Sequence, residues 1–487
     1  MAETEGTVDP PRGRKAPGPR GGLVLGSALN FKSSPLEFIC YVHRAYGDVA
    51  RFRVGHQHWY LVTHPDDIHD IMTTRAKIFL KPAIARRLWD KFLGDGLLTS
   101  EGAVWRRQLK LMRPAFQKKR IAAYGEVMVD YTHRMIDGWT AGQRVDFDEA
   151  MVALTLEIVA KTLFDADVRS DAQVVGEAMH VLHEEMLNHI YMPLPVPRWW
   201  PSKANRRKMK AIGDIETIVR RFIEERRASG EDRGDLLSTL ILARTEEGEQ
   251  LDDKEVRDQS MTLFFAGHET TAHAMTWAWY LLATHPEVTA RLQRDIDAVT
   301  GGLRLTVEHL DSLPYLEWVV NEGMRILPSV WVFMKETTED TTIRGVRVPK
   351  GAPIVISPYV TQHDARWFPS PETFDPERFS PERAGTIPKG AFIPFSGGSR
   401  TCLGKGFAMM EARLIIGTLA QRLTPTVPAG YVPEKQAVLS LQPLGGLPTD
   451  VVLRPADMSS RHDAEAQQNH PTSSTAKAPS ANACPMS

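Results

Sequence analysis

The sequence predicts a mainly α-helical protein with a smaller β region. Apolar residues recur every three or four positions through much of residues 102–300, as in VALTLEIVAKTLF at 152–164, which is the period of a helix with one buried face. Residues 49–63 instead place β-branched and aromatic side chains in a short alternating pattern that predicts a small sheet. After about residue 325 prolines and glycines become frequent, which indicates strands and ordered loops.

Composition and charge limit the classes of function and of partner that are possible. The 487 residues are 42% hydrophobic and 24% charged, enough for a large core. Lys and Arg number 59 against 60 Asp and Glu, so no overall field attracts nucleic acid, and we expect no nucleic-acid partner. The three cysteines, Cys40, Cys402 and Cys484, are far apart and odd in number, which disfavours a disulfide framework and fits a reducing compartment.

The two ends of the chain differ from the part between them. Residues 1–22 and 456–487 are poor in large apolar side chains, so we expect both to be disordered and residues 23–455 to form the folded domain. The first segment lacks the apolar run of a signal peptide, and no uncharged apolar stretch of about 20 residues follows it. We therefore expect a cytoplasmic protein without a transmembrane anchor.

A long apolar helix is predicted from about Asp253. Its middle contains FFAGHETTAH, with Gly267, Thr270 and Thr271 among apolar residues. A kink or an opened turn at a ligand would explain this polar cluster, but a bond from Thr270 to the carbonyl one turn earlier is the favoured explanation. His268 and His273 are five residues apart and lie roughly 140° apart around a helix, so they cannot share a zinc ion. We expect neither histidine to have a chemical role.

Cys402 lies in a glycine-rich loop, AFIPFSGGSRTCLGKGF, before a second apolar helix. Glycines allow the backbone to approach a bulky group, and amides near a helix start stabilise an anionic sulfur. One sulfur cannot form a tetrahedral zinc or iron–sulfur site, whereas haem iron needs one proximal ligand. A buried, inert cysteine remains the alternative for a lone residue.

Four motifs together resemble those of the cytochromes P-450, the haem-thiolate monooxygenases. FSGGSRTCLG, residues 395–404, matches the pattern F-x-x-G-x-R-x-C-x-G of that family at every fixed position. AGHET at 266–270 matches its oxygen-activation motif, EGMR at 322–325 its E-x-x-R pair, and PERF at 376–379 supplies the arginine of its Glu-Arg-Arg network. The resemblance covers roughly residues 20–455, and GDGLLTS and LFFAGHETT are similar to the soluble bacterial fatty-acid hydroxylase branch.

The resemblance implies a cytochrome P-450 fold, with haem b buried between the long central helix and the cysteine loop. It implies that Cys402 is the axial iron ligand, and that other residues contact the haem or its propionates: Trp105, Ala266, Lys335, Phe395, Arg400 and Gly404. Thr270 would hold dioxygen and Glu269 would relay protons to it, although Glu269 could instead form a salt bridge that gates the relay. Glu322, Arg325 and Arg378 would form a buried structural network.

Two positions depart from the family pattern near the expected propionates. Leu109 stands where arginine or histidine is common, and Lys335 stands where arginine is common. An ammonium is a point charge rather than a bidentate fork, so the anchoring of the propionates would depend more on Trp105 and Arg400.

The expected substrate is lipophilic, because the residues carried over to the pocket are apolar: Leu98, Phe265, Ala266, Val330, Trp331, Val332 and Leu444. The local likeness noted above favours a fatty acid, and Arg86 and Arg87 are candidates to bind its carboxylate. A steroid or terpenoid stays open, because Leu98 stands where a bulkier aromatic residue would narrow access to the iron.

Electrons are expected from a separate protein, because the sequence contains no flavin or nicotinamide motif and no four-cysteine cluster. A ferredoxin or flavodoxin-type donor with its reductase would suit a basic patch, whose alternative is ordinary solvated charge: Arg106, Arg107, Lys110, Lys118, Lys119 and Arg120. We expect a monomer that inserts one atom of O2 into its substrate. A peroxide-using or rearranging enzyme, which would not need the Glu269–Thr270 pair, and a non-catalytic haem sensor are the alternatives.

Overall fold

The structure is a computed structural model, which describes residues 13–83, 86, 89, 92–165, 171, 174–179, 181–182, 202–244 and 248–455. The tail expected to be disordered, 456–487, lies outside the described residues, as do the first twelve residues of the segment 1–22. Residues 13–22 were expected to be disordered, but part of this segment pairs with other parts of the fold. The Arg14 amide donates to the Gly345 carbonyl at 3.0 Å, and the Pro17 carbonyl accepts from the Arg51 amide at 2.8 Å, so backbone pairing orders a segment that has few apolar side chains.

Helices dominate the chain, which confirms the mainly α fold with a smaller β region. The α-helices described over their whole length are α1 (Ala28–Ser33), α2 (Pro35–Tyr46), α3 (Pro65–Met72), α4 (Gly102–Met112), α5 (Lys118–Ala122), α6 (Gly125–Asp137), α7 (Phe147–Phe164), α8 (Lys203–Ser229), α9 (Leu236–Leu242), α10 (Asp253–Thr284), α11 (Pro286–Thr300), α12 (Pro314–Ile326), α13 (Pro358–Gln362), α14 (Pro381–Ala384) and α15 (Lys405–Arg422).

The strands are short and group into one larger sheet and several two-stranded ribbons. They are β1 (Val49–Val54), β2 (Gln57–Val62), β3 (Phe79–Leu80), β4 (Arg144–Asp146), β5 (Phe333–Thr337), β6 (Thr341–Ile343), β7 (Val346–Val348), β8 (Pro353–Ile356), β9 (Leu423–Thr424), β10 (Lys435–Ala437), β11 (Leu441–Pro443), β12 (Pro448–Asp450) and β13 (Val452–Leu453). The larger sheet has the order β1-β2-β8-β5-β3. The sheet predicted at residues 49–63 is its antiparallel β1–β2 edge, with Phe52 opposite Trp59.

The long helix α10 forms the centre of the fold. The Asp252 side chain accepts from the Glu255 amide and the Glu255 side chain accepts from the Asp252 amide, a capping box that fixes its start. Pro286 follows its end and begins α11. The helix packs against α7, where the rings of Phe147 and Trp279 stack with their centroids 5.0 Å apart. This burial on nearly every side explains its apolar sequence.

Membrane insertion by a helix finds no support in the described residues. None of the described helices combines the length and the apolar composition that a membrane span requires.

Candidate active site

A cavity of about 590 Å³ lies between α10 and the cysteine loop. Its wall contains most residues that the sequence predicts at the site: Leu98, Trp105, Phe265, Ala266, Glu269, Thr270, Val330, Trp331, Val332, Lys335, Phe395, Arg400, Cys402 and Gly404. Residues more than 300 positions apart in sequence therefore meet at one cavity.

Leu444 was predicted in this wall, and that prediction was wrong. It follows β11, its side chain is 46% exposed, and its amide donates to the Glu434 carbonyl at 2.8 Å. The turn before β11 lines the cavity instead, through Val438, Leu439 and Ser440. The difference arises because the hairpin turns toward the cavity before β11 and away from it afterwards.

The cysteine loop presents Cys402 to the cavity. Its backbone is fixed by a bond from the Cys402 amide to the Phe395 carbonyl at 3.0 Å. Gly398 adopts a positive φ of +63°, and a Cβ atom there would lie 1.8 Å from the Met72 carbonyl oxygen, so only glycine fits. The loop is thereby held against the end of α3.

The Cys402 thiol is accessible from the cavity but surrounded by protein on its other sides. Burial raises its pKa, and the backbone amides of Gly404 and Lys405 act in the opposite direction. These two amides lie at the start of α15, where backbone N–H groups favour a negative charge. A metal cation in the cavity would complete the stabilisation of a thiolate.

Three of the cationic side chains that line the same cavity lie near the carboxylate of Glu101 and interact with it: Lys81, Lys335 and Arg400. One carboxylate, Glu101, forms an ion pair with Arg400 and accepts a bond from the Lys81 amide at 3.0 Å. Burial lowers the pKa of Lys335, and burial together with the Arg400 charge lowers the pKa of Lys81 to about 7. Together, these side chains carry more positive than negative charge, and the protein largely shields them from water.

Arg400 and Trp105 were each predicted to contact a propionate, and the structure places them against one another. The Arg400 guanidinium carbon lies 3.8 Å from the centroid of the Trp105 ring. The Nη1 atom of Arg400 is buried without a hydrogen-bond partner among the described residues. An unpaired buried N–H of a cation is costly, so it marks a place for an anionic ligand.

These features fit haem b. Three cations around one carboxylate match a group with two propionates, and the Cys402 thiol offers a single soft ligand. The unpartnered N–H of Arg400 is left for an acceptor that the described residues do not supply. Lys81 was missed by the sequence analysis, and its only signal was a lone lysine within the apolar run FLKPAI.

Glu269 and Thr270 lie in an unbroken stretch of α10. The Thr270 hydroxyl donates to the Ala266 carbonyl at 3.0 Å, which is the bond that the sequence analysis favoured as the explanation for the polar cluster. Glu269 is buried and reaches the cavity wall beside Thr270. An acid and an alcohol are thus adjacent at one end of the cavity.

The structure brings Glu322, Arg325 and Arg378 together away from the cavity. Arg325 contacts both carboxylate oxygens of Glu322, at 2.7 and 2.8 Å, and Arg378 Nε lies 3.2 Å from the same carboxylate. The Arg325 Nη1 also donates to the Gln362 carbonyl at 2.9 Å. The network joins α12 to the segment that contains Arg378.

The predicted basic patch is only partly exposed. Arg107 forms an ion pair with Glu255, and Arg120 donates to Thr239 Oγ1 at 2.6 Å. The exposed cations on α4, α5 and the segment between them are Arg106, Lys110, Arg113, Lys118 and Lys119, of which the sequence analysis missed Arg113. Trp105 and Leu109 of α4 line the cavity, so the patch lies on the outer side of a cavity-forming helix.

Trp89, which the sequence analysis missed, lines the cavity beside Phe265, and Phe92 packs behind them. Trp89 and Phe265 have ring centroids 4.9 Å apart, and Phe92 packs edge-on to Phe265 at 5.2 Å. Arg86 lines the cavity nearby, whereas Arg87 lies outside the described residues. In the sequence, the spacing of three residues between Trp89 and Phe92 indicates that the two side chains lie on one face of a helix.

His273, for which no chemical role was expected, contacts the cavity wall. Its Nδ1 atom lies 2.9 Å from the hydroxyl of Ser440. His268, by contrast, bonds through Nδ1 to the Phe264 carbonyl of its own helix at 2.9 Å. The two histidines point in different directions and do not share a site.

Comparison with known proteins shows the family of this chain. The family model described as Cytochrome P450 matches residues 16–447. "Cyclooctatin synthase" of Streptomyces melanosporofaciens is 37% identical over 88% of this chain and 94% of its own length, and "Cyclooctat-9-en-7-ol 5-monooxygenase" of the same organism is 36% identical over 82% and 87%. "Pentalenene oxygenase" of Streptomyces avermitilis is 32% identical over 83% and 90%.

These relatives correct one expectation and confirm two others, the family and the monooxygenase activity. They do not support the fatty-acid hydroxylase branch, since their names give cyclooctat-9-en-7-ol and pentalenene as substrates of oxygenases. The matched family binds haem b through a cysteine thiolate and uses O2 with electrons from a redox partner. The chain belongs to the cytochrome P450 family and is a haem-thiolate monooxygenase.

Proposed function

We propose that this monooxygenase hydroxylates a cyclic terpenoid at an unactivated carbon. The observation that carries the proposal is a cavity with an apolar wall, formed in large part by Trp89, Leu98, Phe265 and the segment 330–332. Such a wall gains about 25 cal/mol per Å² of apolar ligand surface that it buries. Relatives named for a cyclic alkenol and for pentalenene support a compact ring substrate over an extended chain.

A fatty acid remains the second candidate because of one residue. Arg86 lines the cavity and could pair with a carboxylate. Its side chain is exposed, however, and an exposed ion pair contributes little to affinity. The apolar wall is therefore the stronger guide to the substrate.

We assign the site residues as follows. Cys402 would hold the iron, and Lys81, Lys335 and Arg400 would bind the propionates, with the Trp105 ring keeping Arg400 in place. When bound, the haem supplies the activation of O2. The Thr270 hydroxyl donates to the Ala266 carbonyl and keeps its oxygen lone pairs for a second contact, so it would hold dioxygen there. The buried carboxyl of Glu269 would pass protons to that place.

The electron donor is proposed to be an acidic ferredoxin or flavodoxin-type protein. Arg106, Lys110, Lys118 and Lys119 are exposed on the helices next to the cavity. Opposite charge on a donor would speed its encounter with this face and orient it.

Three measurements test the proposal. The reduced protein with carbon monoxide should show a thiolate-type difference spectrum. Cyclic terpenes should shift the haem spin state at lower concentration than fatty acids or steroids of equal size, and reconstitution with a ferredoxin pair should yield a hydroxylated terpene. Tight responses confined to fatty acids would transfer the assignment to a fatty-acid hydroxylase. Ligand-dependent spectra without product under any donor or with peroxide would indicate a sensor instead.

A further inference from the structure

The turn Val438–Leu441 lines the cavity and is held by its surroundings at several points. The Trp331 indole donates to the Val438 carbonyl at 2.9 Å, and the Trp277 indole donates to the Leu441 carbonyl at 2.8 Å. The Leu441 amide donates to the Ser329 carbonyl at 2.8 Å. The backbone of this turn is thus bonded to α10 on one side and to the segment before β5 on the other.

One side chain of the turn is held as well. The hydroxyl of Ser440 lies 2.9 Å from Nδ1 of His273, and both residues are almost fully buried. On the other side of the ring, Nε2 of His273 lies 3.7 Å from Oδ1 of Asp148, near the start of α7. That carboxylate oxygen is buried and has no hydrogen-bond partner among the described residues.

His273 faces a different group through each ring nitrogen. Nε2 faces the carboxyl of Asp148, and Nδ1 shares a hydrogen bond with the Ser440 hydroxyl in which either atom can be the donor. Asp148 and Thr276 also interact, which keeps the carboxyl beside α10. The histidine therefore connects three elements: α7, α10 and the turn.

This arrangement differs from a hydrolytic triad. The serine contacts Nδ1 rather than Nε2, and the separation of 3.7 Å to Asp148 exceeds a hydrogen bond. The carboxyl of Asp148 is too far to orient the ring as a triad requires, so we assign the contact between His273 and Ser440 a positioning role.

The positions of these residues along α10 show which part of the cavity wall His273 would position. His273 and Trp277 are four residues apart on α10, so they share the face that contacts the turn. Thr270 and Ala274 of the same helix line the cavity. The turn contributes Val438 and Leu439 to the cavity wall, so their distance from Thr270 depends on how firmly the turn is bonded to the helix.

We infer that His273 is a positioning residue, which through Ser440 fixes the wall formed by Val438 and Leu439 and so selects the carbon that is hydroxylated. The inference rests on the proposed function, because it concerns how a substrate lies in that cavity. Apolar contacts have no preferred direction, so a wall of fixed position is needed to present one carbon among several similar ones.

The test compares two near-isosteric variants in the haem-loaded protein. In His273→Asn the amide oxygen can take the place of Nδ1 and accept from Ser440, whereas His273→Gln reaches toward Asp148 and loses that bond. His273→Ala, Ser440→Ala and their combination complete the set. Thr132→Ala is the control, since the Thr132 hydroxyl is buried and bonds only within its own helix to the Met128 carbonyl, away from the cavity wall.

Two readouts are used. The first is the ratio of hydroxylated isomers from the terpene that gives the largest spin-state shift. The second is the ratio of affinities for 2-phenylimidazole and 4-phenylimidazole, read from the haem absorption spectrum, which reports the shape of the cavity without any natural substrate.

We expect His273→Ala, His273→Gln and Ser440→Ala each to change both ratios by about twofold to tenfold, the range that the loss of one hydrogen bond allows. The double variant should change them no further, and His273→Asn should resemble the wild type. Unchanged ratios in His273→Ala, full additivity in the double variant, or an equal change in Thr132→Ala would each overturn the inference. If no terpene is hydroxylated but the phenylimidazole ratio behaves as described, the proposed substrate is wrong and the positioning role stands.

Discussion

The guanidinium of Arg325 lies 2.7 and 2.8 Å from the two carboxylate oxygens of Glu322, and neither side chain is exposed. The two charges therefore neutralise each other and form their hydrogen bonds with protein groups alone. The pair joins α12 to the Gln362 carbonyl and to the segment of Arg378, so it acts on the packing of the fold rather than on the chemistry at the cavity.

Arg325→Ala should lower the free energy of unfolding by about 3–5 kcal/mol, because it leaves the Glu322 carboxylate buried without its main partner. Denaturant titration of the haem-loaded protein measures the change. Arg144→Ala, which breaks the exposed pair with Asp450, is the matched control and should have little effect. A similar loss in both variants would contradict the structural role of the buried pair.

Cys402→Ala should abolish the thiolate-type carbon monoxide spectrum, because this thiol alone among the described cysteines lines the cavity. Cys40→Ala is the control. The Cys40 thiol does not line the cavity, and burial raises its pKa to about 11. Loss of the spectrum in Cys40→Ala with retention in Cys402→Ala would reverse the assignment.

Thr270→Ala should leave haem and substrate binding nearly unchanged but lower the product formed per NAD(P)H consumed by at least about tenfold, with the electrons diverted to peroxide. The reason is that the hydroxyl acts on dioxygen and not on the substrate. Thr270→Ser keeps the hydroxyl and should retain most of the coupling. Equal coupling in the wild type and Thr270→Ala would remove the residue from the proton relay.

Haem affinity should fall as the pH rises from about 7 to about 9, and Lys81 should cause the fall. Without haem its folded pKa is about 7, below the usual value of about 10.4. Binding of the propionates favours the charged form, so above pH 7 haem binding must take up a proton, and this becomes more costly as the pH rises.

The rate of haem transfer to an acceptor apoprotein at pH 6.5, 7.5 and 8.5 measures this dependence. Lys81→Met should bind haem more weakly at pH 6.5 and show a flatter profile. Lys77→Met, which changes an exposed lysine four residues earlier, should keep the wild-type profile. A steep profile that persists in Lys81→Met would show that another group takes up the proton.

Simultaneous replacement of Arg106, Lys110 and Lys119 by Glu should slow reduction by a protein donor roughly tenfold at low salt, because opposite charge speeds the encounter. The effect should shrink as salt rises, since exposed charges are screened. Replacing the exposed Lys32, Lys350 and Lys389 by Glu changes the net charge equally and should have a smaller effect. Reduction by dithionite should be the same in all variants, and slowing there would indicate damage to the fold.

The parts of the site that the sequence predicted are those encoded within short segments. The loop around Cys402 and the pair Glu269–Thr270 depend on residues within about ten positions, so their motifs were readable. Lys81, Ser440 and Asp148 belong to no such motif, and their roles come from contacts with residues far away in sequence. The error at Leu444 has the same origin, because the direction of a hairpin turn depends on what packs against it.

The parallel pairing of β2 with β8 has a consequence for synthesis. Tyr60 and Ile354 are register partners although about 290 residues separate them. At roughly 5–20 residues per second, a ribosome needs about 15–60 s to reach β8 after β2 has been made. During that time the inner edge of β2, with its apolar side chains Tyr60, Leu61 and Val62, lacks its native partner. Slower translation would lengthen this exposure, so the yield of folded protein should depend on chaperones that cover nascent strands.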